Sequence, residues 1–137
     1  MRHVIGALLE DDSAVTVVDM EAGVEHLSRG TARHVDTLIV TLEPYFKSLE
    51  TSRRSAELAR EIGIPRIVAV ANKTRDDEDR KAIREFAERH GLMLVGEIPM
   101  DDQLRKADLA GRAPIDETNS PAVAAIFALA DRLAVAT

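Results

Sequence analysis

Short, continuous apolar runs alternate along this chain with longer stretches whose apolar residues recur every three or four positions, and that alternation limits the fold more than any other feature. The runs are Ala14 to Asp19, Val35 to Leu42, Arg66 to Ala71 and Leu92 to Ile98. A run that is apolar at nearly every position cannot leave one face in water, so it belongs to a parallel strand covered on both sides. Parallel neighbours cannot be joined by a tight hairpin. The helical patterns between the runs supply the crossovers, which are right-handed. The sequence therefore predicts an α/β fold, a three-layer and mostly parallel sheet flanked by helices. No internal repeat or low-complexity linker interrupts it, so residues 1–137 read as one domain.

The helical stretches carry their own punctuation. Arg2 to about Glu10 reads as a short helix with Ile5, Leu8 and Leu9 on one side. Glu21 to His34 is polar and broken by Gly23, Gly30 and Thr31, which suits a loop or irregular helix and makes it a candidate moving segment. Ser48 is placed to cap a helix ending at Ile62, with Leu49, Ser52, Ala56, Ala59 and Ile62 on its inner face and Gly63 then Pro65 as a stop. The acidic run Asp76 to Asp79 suits a helix N-terminus, followed by the stripe Ile83, Phe86, Ala87, His90 and the stop Gly91. Asp101 to Ala110 predicts a short helix with Leu104 and Ala107 inward. The last helix opens on Ser120 as cap and Pro121 at its first position and carries Val123, Ile126, Phe127, Ala130 and Leu133.

Composition removes several function classes. The formal charge of −6 argues against nucleic acid, whose binding needs clustered Lys and Arg, and the 3% aromatic content leaves few stacking platforms. There is no cysteine, hence no thiolate metal site or cysteine nucleophile. His3, His26, His34 and His90 do not form a metal-ligand spacing. No apolar run approaches a membrane span and the start lacks a secretory pattern, so a cytoplasmic location is expected.

Chemistry in an open parallel sheet gathers at the carboxyl ends of the strands. Here those ends hold Asp19 to Gly23, Asn72-Lys73 and Ile98-Pro99. An acid after a buried strand, as at Asp19, holds the water shell of Mg²⁺ in nucleotide hydrolases, and a following glycine such as Gly23 admits a backbone N–H to a terminal phosphate. The same Asp also serves as an ordinary turn or helix cap. Asn72 can donate and accept at once, matching the N6/N7 edge of adenine, or can simply make a turn. Guanine binders place an Asp three residues after such an Asn; here that residue is Arg75. Glu21 and Glu25 read either as water-positioning groups or as a solvated face.

The segment from Val17 through Asp19, Gly23 and Gly30 to Thr31 resembles the switch region of the CooC-type ATPases, the nickel-insertion factors that mature carbon monoxide dehydrogenase. Glu43-Pro44, Lys47 to Thr51 and Val70 to Lys73 extend the likeness over nearly the whole chain. These factors belong with the MinD, ParA and nitrogenase iron protein group of dimeric P-loop ATPases. The resemblance implies ATP or ADP with Mg²⁺ as cofactor, Asp19 serving Mg²⁺ through water, Gly23 near the γ-phosphate, Asn72 with Lys73 at the adenine, and the backbone from Pro99 to Asp101 bordering the base. It also implies a dimer and a metalloenzyme client.

One departure shapes the expected function. The chain has no Gly-x-x-x-x-Gly-Lys-Ser/Thr loop, and none of its seven glycines precedes a lysine. It reads as the back half of such an ATPase, truncated or degenerate, P-loop NTPase-like but missing the P-loop strand. Alone it is expected to hydrolyse ATP poorly or not at all, since phosphoryl transfer rests on that cradle. The gap in the sheet would close by direct pairing of the Asp19 and Ile39 strands or by a second chain. A non-catalytic interaction or dimerisation module and a receiver-like signalling domain are the alternatives.

Overall fold

The computed structural model describes residues 15–20 and 35–135. In chain order its elements are β1 (Thr37–Leu42), α1 (Phe46–Ile62), β2 (Arg66–Thr74), α2 (Asp77–Arg89), β3 (Met93–Pro99), α3 (Asp102–Leu109), a 3₁₀ turn (Pro114–Asp116) and α4 (Pro121–Val135). The strands form a parallel sheet in the order β1-β2-β3. Sequential parallel strands joined by right-handed crossovers must carry both crossover helices on one face. The core shows that they do: Val40, Leu42, Ala69 and Ala71 from the sheet pack with Ala56 of α1 and Ile83 and Ala87 of α2.

Small residues make this close approach feasible. Ala56, Ala59, Ala69 and Ala87 are buried where strand and helix meet, while Leu42 and Ile83 fill the remaining volume. Ser52, on the same helix face, satisfies its buried hydroxyl by donating to the Thr41 carbonyl at 2.8 Å. Gly63 takes φ +88°, and the Gly63 and Ile64 N–H groups bond back to Arg60 and Ala59 in the pattern that closes a helix with a left-handed residue.

Two local expectations are revised and one open face is settled. Helix α1 starts at Phe46, Tyr45 at the cap position before it makes no side-chain capping bond, and Ser48 instead accepts the Glu43 N–H at 3.2 Å. Helix α4 buries Ala122 and Val123, whereas Ile126 and Phe127 are exposed. The stretch from Ala122 to Ala130 is apolar on every side, so periodicity could not choose its face. Its docking is set by Leu129 lying over Gly96 and by Arg132 donating to the Val95 carbonyl at 3.0 Å.

The second revision concerns residues 15–20, which form no strand. Val15 and Val17 are 89% and 87% exposed, and the direct pairing expected between the Asp19 and Ile39 segments is not formed. β-branched residues favour a strand only when a neighbour supplies ladder hydrogen bonds and a surface to pack on. Among the described residues β1 pairs with β2 alone, so its other edge carries no partner. The expected helix over residues 2–10, the segment 21–34 and Gly23 lie outside the described residues.

Candidate functional site at the carboxyl edge of the sheet

All three strands point the same way, so their carboxyl ends converge on one edge. Glu43 follows β1, Asn72 to Thr74 close β2, and Pro99 closes β3. The register sets Asn72 opposite Ile98 and Thr74 opposite Pro99, with Lys73 left over between them. That extra residue is a bulge, a device that re-aims side chains at the ends of strands. Lys73 accordingly adopts φ +56°, a left-handed conformation that L residues avoid unless their surroundings over-determine it.

The surrounding groups supply that determination. One carboxylate oxygen of Glu43, Oε1, accepts from Asn72 Nδ2 at 3.1 Å and from Lys73 Nζ at 2.8 Å. The Glu43 carboxylate holds the Lys73 ammonium above its ordinary pKa against the opposing effect of partial burial. Thr74, fully buried, donates to Glu97 Oε1 at 2.8 Å, and the Arg80 guanidinium binds the same oxygen at 2.6 Å. The Met100 N–H continues the edge by donating to the Thr74 carbonyl at 2.9 Å.

Asp101 is placed by the turn after β3 and works as a double cap. Its Oδ1 accepts the Gln103 N–H at 2.8 Å at the start of α3, and its Oδ2 accepts the Ser120 hydroxyl at 2.6 Å ahead of α4. The Ser120 hydroxyl, then the Gln103 N–H, hold the Asp101 carboxyl below the usual carboxylate range. Its side chain is therefore committed to the fold.

Of the predicted residues, Asn72, Lys73, Pro99 and Asp101 come together on this edge. Asp19 does not join them. Its neighbour Met20 packs against the cluster of Ala59 and Ile64, to which Leu38 and Ile67, near the amino ends of β1 and β2, also pack. From Ile67 to Asn72 the strand runs about 16 Å. Asp19 is thus not assembled with the residues on this edge. Among the described residues no group of three or more His, Asp or Glu side chains is arranged to hold a metal. The contact of Glu43 with Asn72 joins residues 29 positions apart and had no sequence signal.

Comparison with known proteins defines the class. The fold matches the MinD cell division protein of Aquifex aeolicus with a TM-score of 0.66 at 20% identity, over 81% of this chain and 49% of that one. It matches a ParA family ATPase of Chlorobium tepidum with a TM-score of 0.64 at 20% identity, over 82% and 46%. The architecture is thus the three-layer α/β fold of the MinD/ParA ATPases. In sequence, the chain is 36% identical over 116 residues to the carbon monoxide dehydrogenase accessory protein CooC of Rhodospirillum rubrum, covering 85% of this chain and 43% of that protein. It is 34% identical over 113 residues to an uncharacterized ATP-binding protein of Methanocaldococcus jannaschii, covering 82% of this chain and 44% of the relative. No family model matches. The chain is homologous to CooC and to these archaeal ATP-binding proteins, and it spans less than half their length. No helix among the described residues is long and apolar enough to cross a membrane.

Proposed function

We propose that this chain carries the adenine-recognition half of a CooC-type nucleotide switch, with Asn72 reading the base and the backbone of residues 99–101 bordering it. The observation that supports this most is the register that sets Asn72 beside the β3 end. The cation next to Asn72, Lys73, is offset by Glu43, so among the described residues this edge supplies base recognition and little charge for a triphosphate. Without a Gly-Lys-Ser/Thr loop in the sequence, the chain alone is not an effective ATP hydrolase.

The roles of Asp19 toward Mg²⁺ and of Gly23 toward the γ-phosphate require residues 15–20 to enter the sheet. A further strand on the free edge of β1 would give them a neighbour. In that arrangement a second chain or a longer form of this one completes the site, and ATP-dependent delivery of nickel to a metalloenzyme client in the cytoplasm is the task of the completed dimer.

Titration calorimetry with Mg-ATP tests the reading. Binding tighter than about 1 mM, lost in Asn72→Ala, supports it. Absence of heat, together with a stable dimer by light scattering, supports instead a non-catalytic interaction module. That second reading is favoured by Phe46, an aromatic side chain 84% exposed at the start of α1.

A further inference from the structure

Among the described residues β3 pairs with β2 alone, so its outer edge is free. The register sets Gly96 beside Val70 and Glu97 beside Ala71, which places these two β3 residues on opposite faces of the sheet. Ala71 packs with Ile83 of α2, and Gly96 lies under Leu129 of α4. The two helices therefore flank the free edge, one on each face. Between them runs a groove of about 420 Å³, lined by residues 94–97, by Arg84 of α2, and by Ala125, Ala128 and Arg132 of α4. Four consecutive strand residues line one groove only when it follows the edge of the strand, since alternate side chains leave toward opposite faces.

This edge is open in its backbone and positive in its walls. Arg132 donates to the Val95 carbonyl at 3.0 Å, so that acceptor takes from a side chain the bond that an added strand would supply. Arg80, also on the groove, is matched by Glu97 and Asp77. Arg84 and Arg132 have no carboxylate partner among the described residues, in a chain whose formal charge is −6. These two guanidinium groups belong to opposite walls. Successive residues of an added strand also point to opposite faces, so two acids in succession would meet one guanidinium each.

The described part of this chain holds no such pair in an extended segment. Asp76 to Asp79, Asp101-Asp102 and Asp116-Glu117 lie in helices, turns or their caps. The β3 strand of a second copy carries one acid, Glu97, already bound by Arg80. We infer that the groove at the β3 edge docks a partner protein, which adds an extended segment to the sheet and sets two successive acidic residues against Arg84 and Arg132. On docking, a partner N–H takes over the Val95 carbonyl and Arg132 turns to a carboxylate. The inference does not rest on the nucleotide reading.

The test uses fluorescence anisotropy with two labelled octapeptides, Thr-Val-Thr-Glu-Asp-Val-Thr-Val and the same peptide with Lys-Lys at its centre. The 137-residue chain is expected to bind the acidic peptide with a dissociation constant below about 1 mM, and about tenfold or more tighter than the basic one. Arg84→Glu, at an exposed position, is expected to lose that preference while its melting temperature stays near wild type. Arg132→Gln keeps a donor for the Val95 carbonyl without the charge, and is expected to weaken the acidic peptide several-fold. Equal affinity for the two peptides, a preference that survives both substitutions, or binding of neither peptide overturns the proposal. Amide hydrogen exchange locates the contact. Residues 93–97 are expected to gain protection with the acidic peptide, whereas protection confined to β1, whose outer edge is also unpaired among the described residues, overturns the β3 site.

Discussion

Asp101 accepts the Ser120 hydroxyl at 2.6 Å across 19 residues of chain, and this one contact ties the turn after β3 to the start of the last helix. Ser120 passes the contact on, since its Oγ accepts the Val123 N–H at 3.1 Å as the cap of α4. The turn that follows β3 is therefore held by a carboxylate and a hydroxyl. Ser120→Ala removes both bonds and is expected to cost about 1–2 kcal/mol by urea denaturation.

The same pair makes an acid-sensitive latch. Ionised Asp101 is stabilised in the folded chain and its pKa is depressed. A depressed carboxyl contributes stability that is complete above its unfolded value near 4 and is lost as pH falls through the lower folded value. Asp101→Asn is expected to be less stable than wild type at pH 7, with the difference shrinking as pH falls below about 4. Denaturant midpoints measured across this range check it; parallel curves for the two proteins would refute the latch.

Gly96 is expected to be intolerant of a side chain. A Cβ at this position would lie 3.0 Å from Leu129 Cδ1, closer than carbon atoms normally approach. Gly96→Ala should cost about 1–3 kcal/mol as α4 is pushed from β3. Combining it with Leu129→Ala should show a favourable coupling, because the truncated side chain makes room. Simple additivity would mean that the contact does not set the helix position.

The bulge at Lys73 predicts an order among substitutions. Its φ of +56° suits glycine and is worst for a β-branched residue. Lys73→Gly should lie within about 1 kcal/mol of wild type, and Lys73→Val should fall below Lys73→Gly by about 1–2 kcal/mol. Thermal melts of the two variants suffice, and a valine as stable as glycine would contradict the bulge.

These particulars show which parts of the molecule local sequence could announce. Gly63 and Pro65 end α1 where expected because a left-handed cap is a local requirement. Asp76, the cap of α2, accepts the Asp79 N–H at 2.9 Å and was equally local. The inner faces of α1 and α2 were legible because Ala56, Ala59, Ile83 and Ala87 contrast with charged neighbours. The face of α4 was hidden by a surrounding that is apolar throughout. The run up to Asp19 forms no strand for a different reason: a hydrophobic run states that it can become a strand, but only a neighbour makes it one. That Asn72, Lys73 and Pro99 lie on one edge was legible because strand ends in a parallel sheet must share an edge. The hydrogen bond to Glu43 was not, because it depends on register between β1 and β2.

The most direct test of the proposed base site is a titration of the ¹⁵N-labelled chain with Mg-ATP followed by amide chemical shifts. The account predicts that the Asn72 side-chain amide and the backbone amides of Met100 and Asp101 move together and saturate with one dissociation constant, while Met20, Ile64 and Ile67 at the opposite margin stay still. Shifts confined to that opposite margin, or none at any residue up to several times the expected constant of about 1 mM, would contradict it.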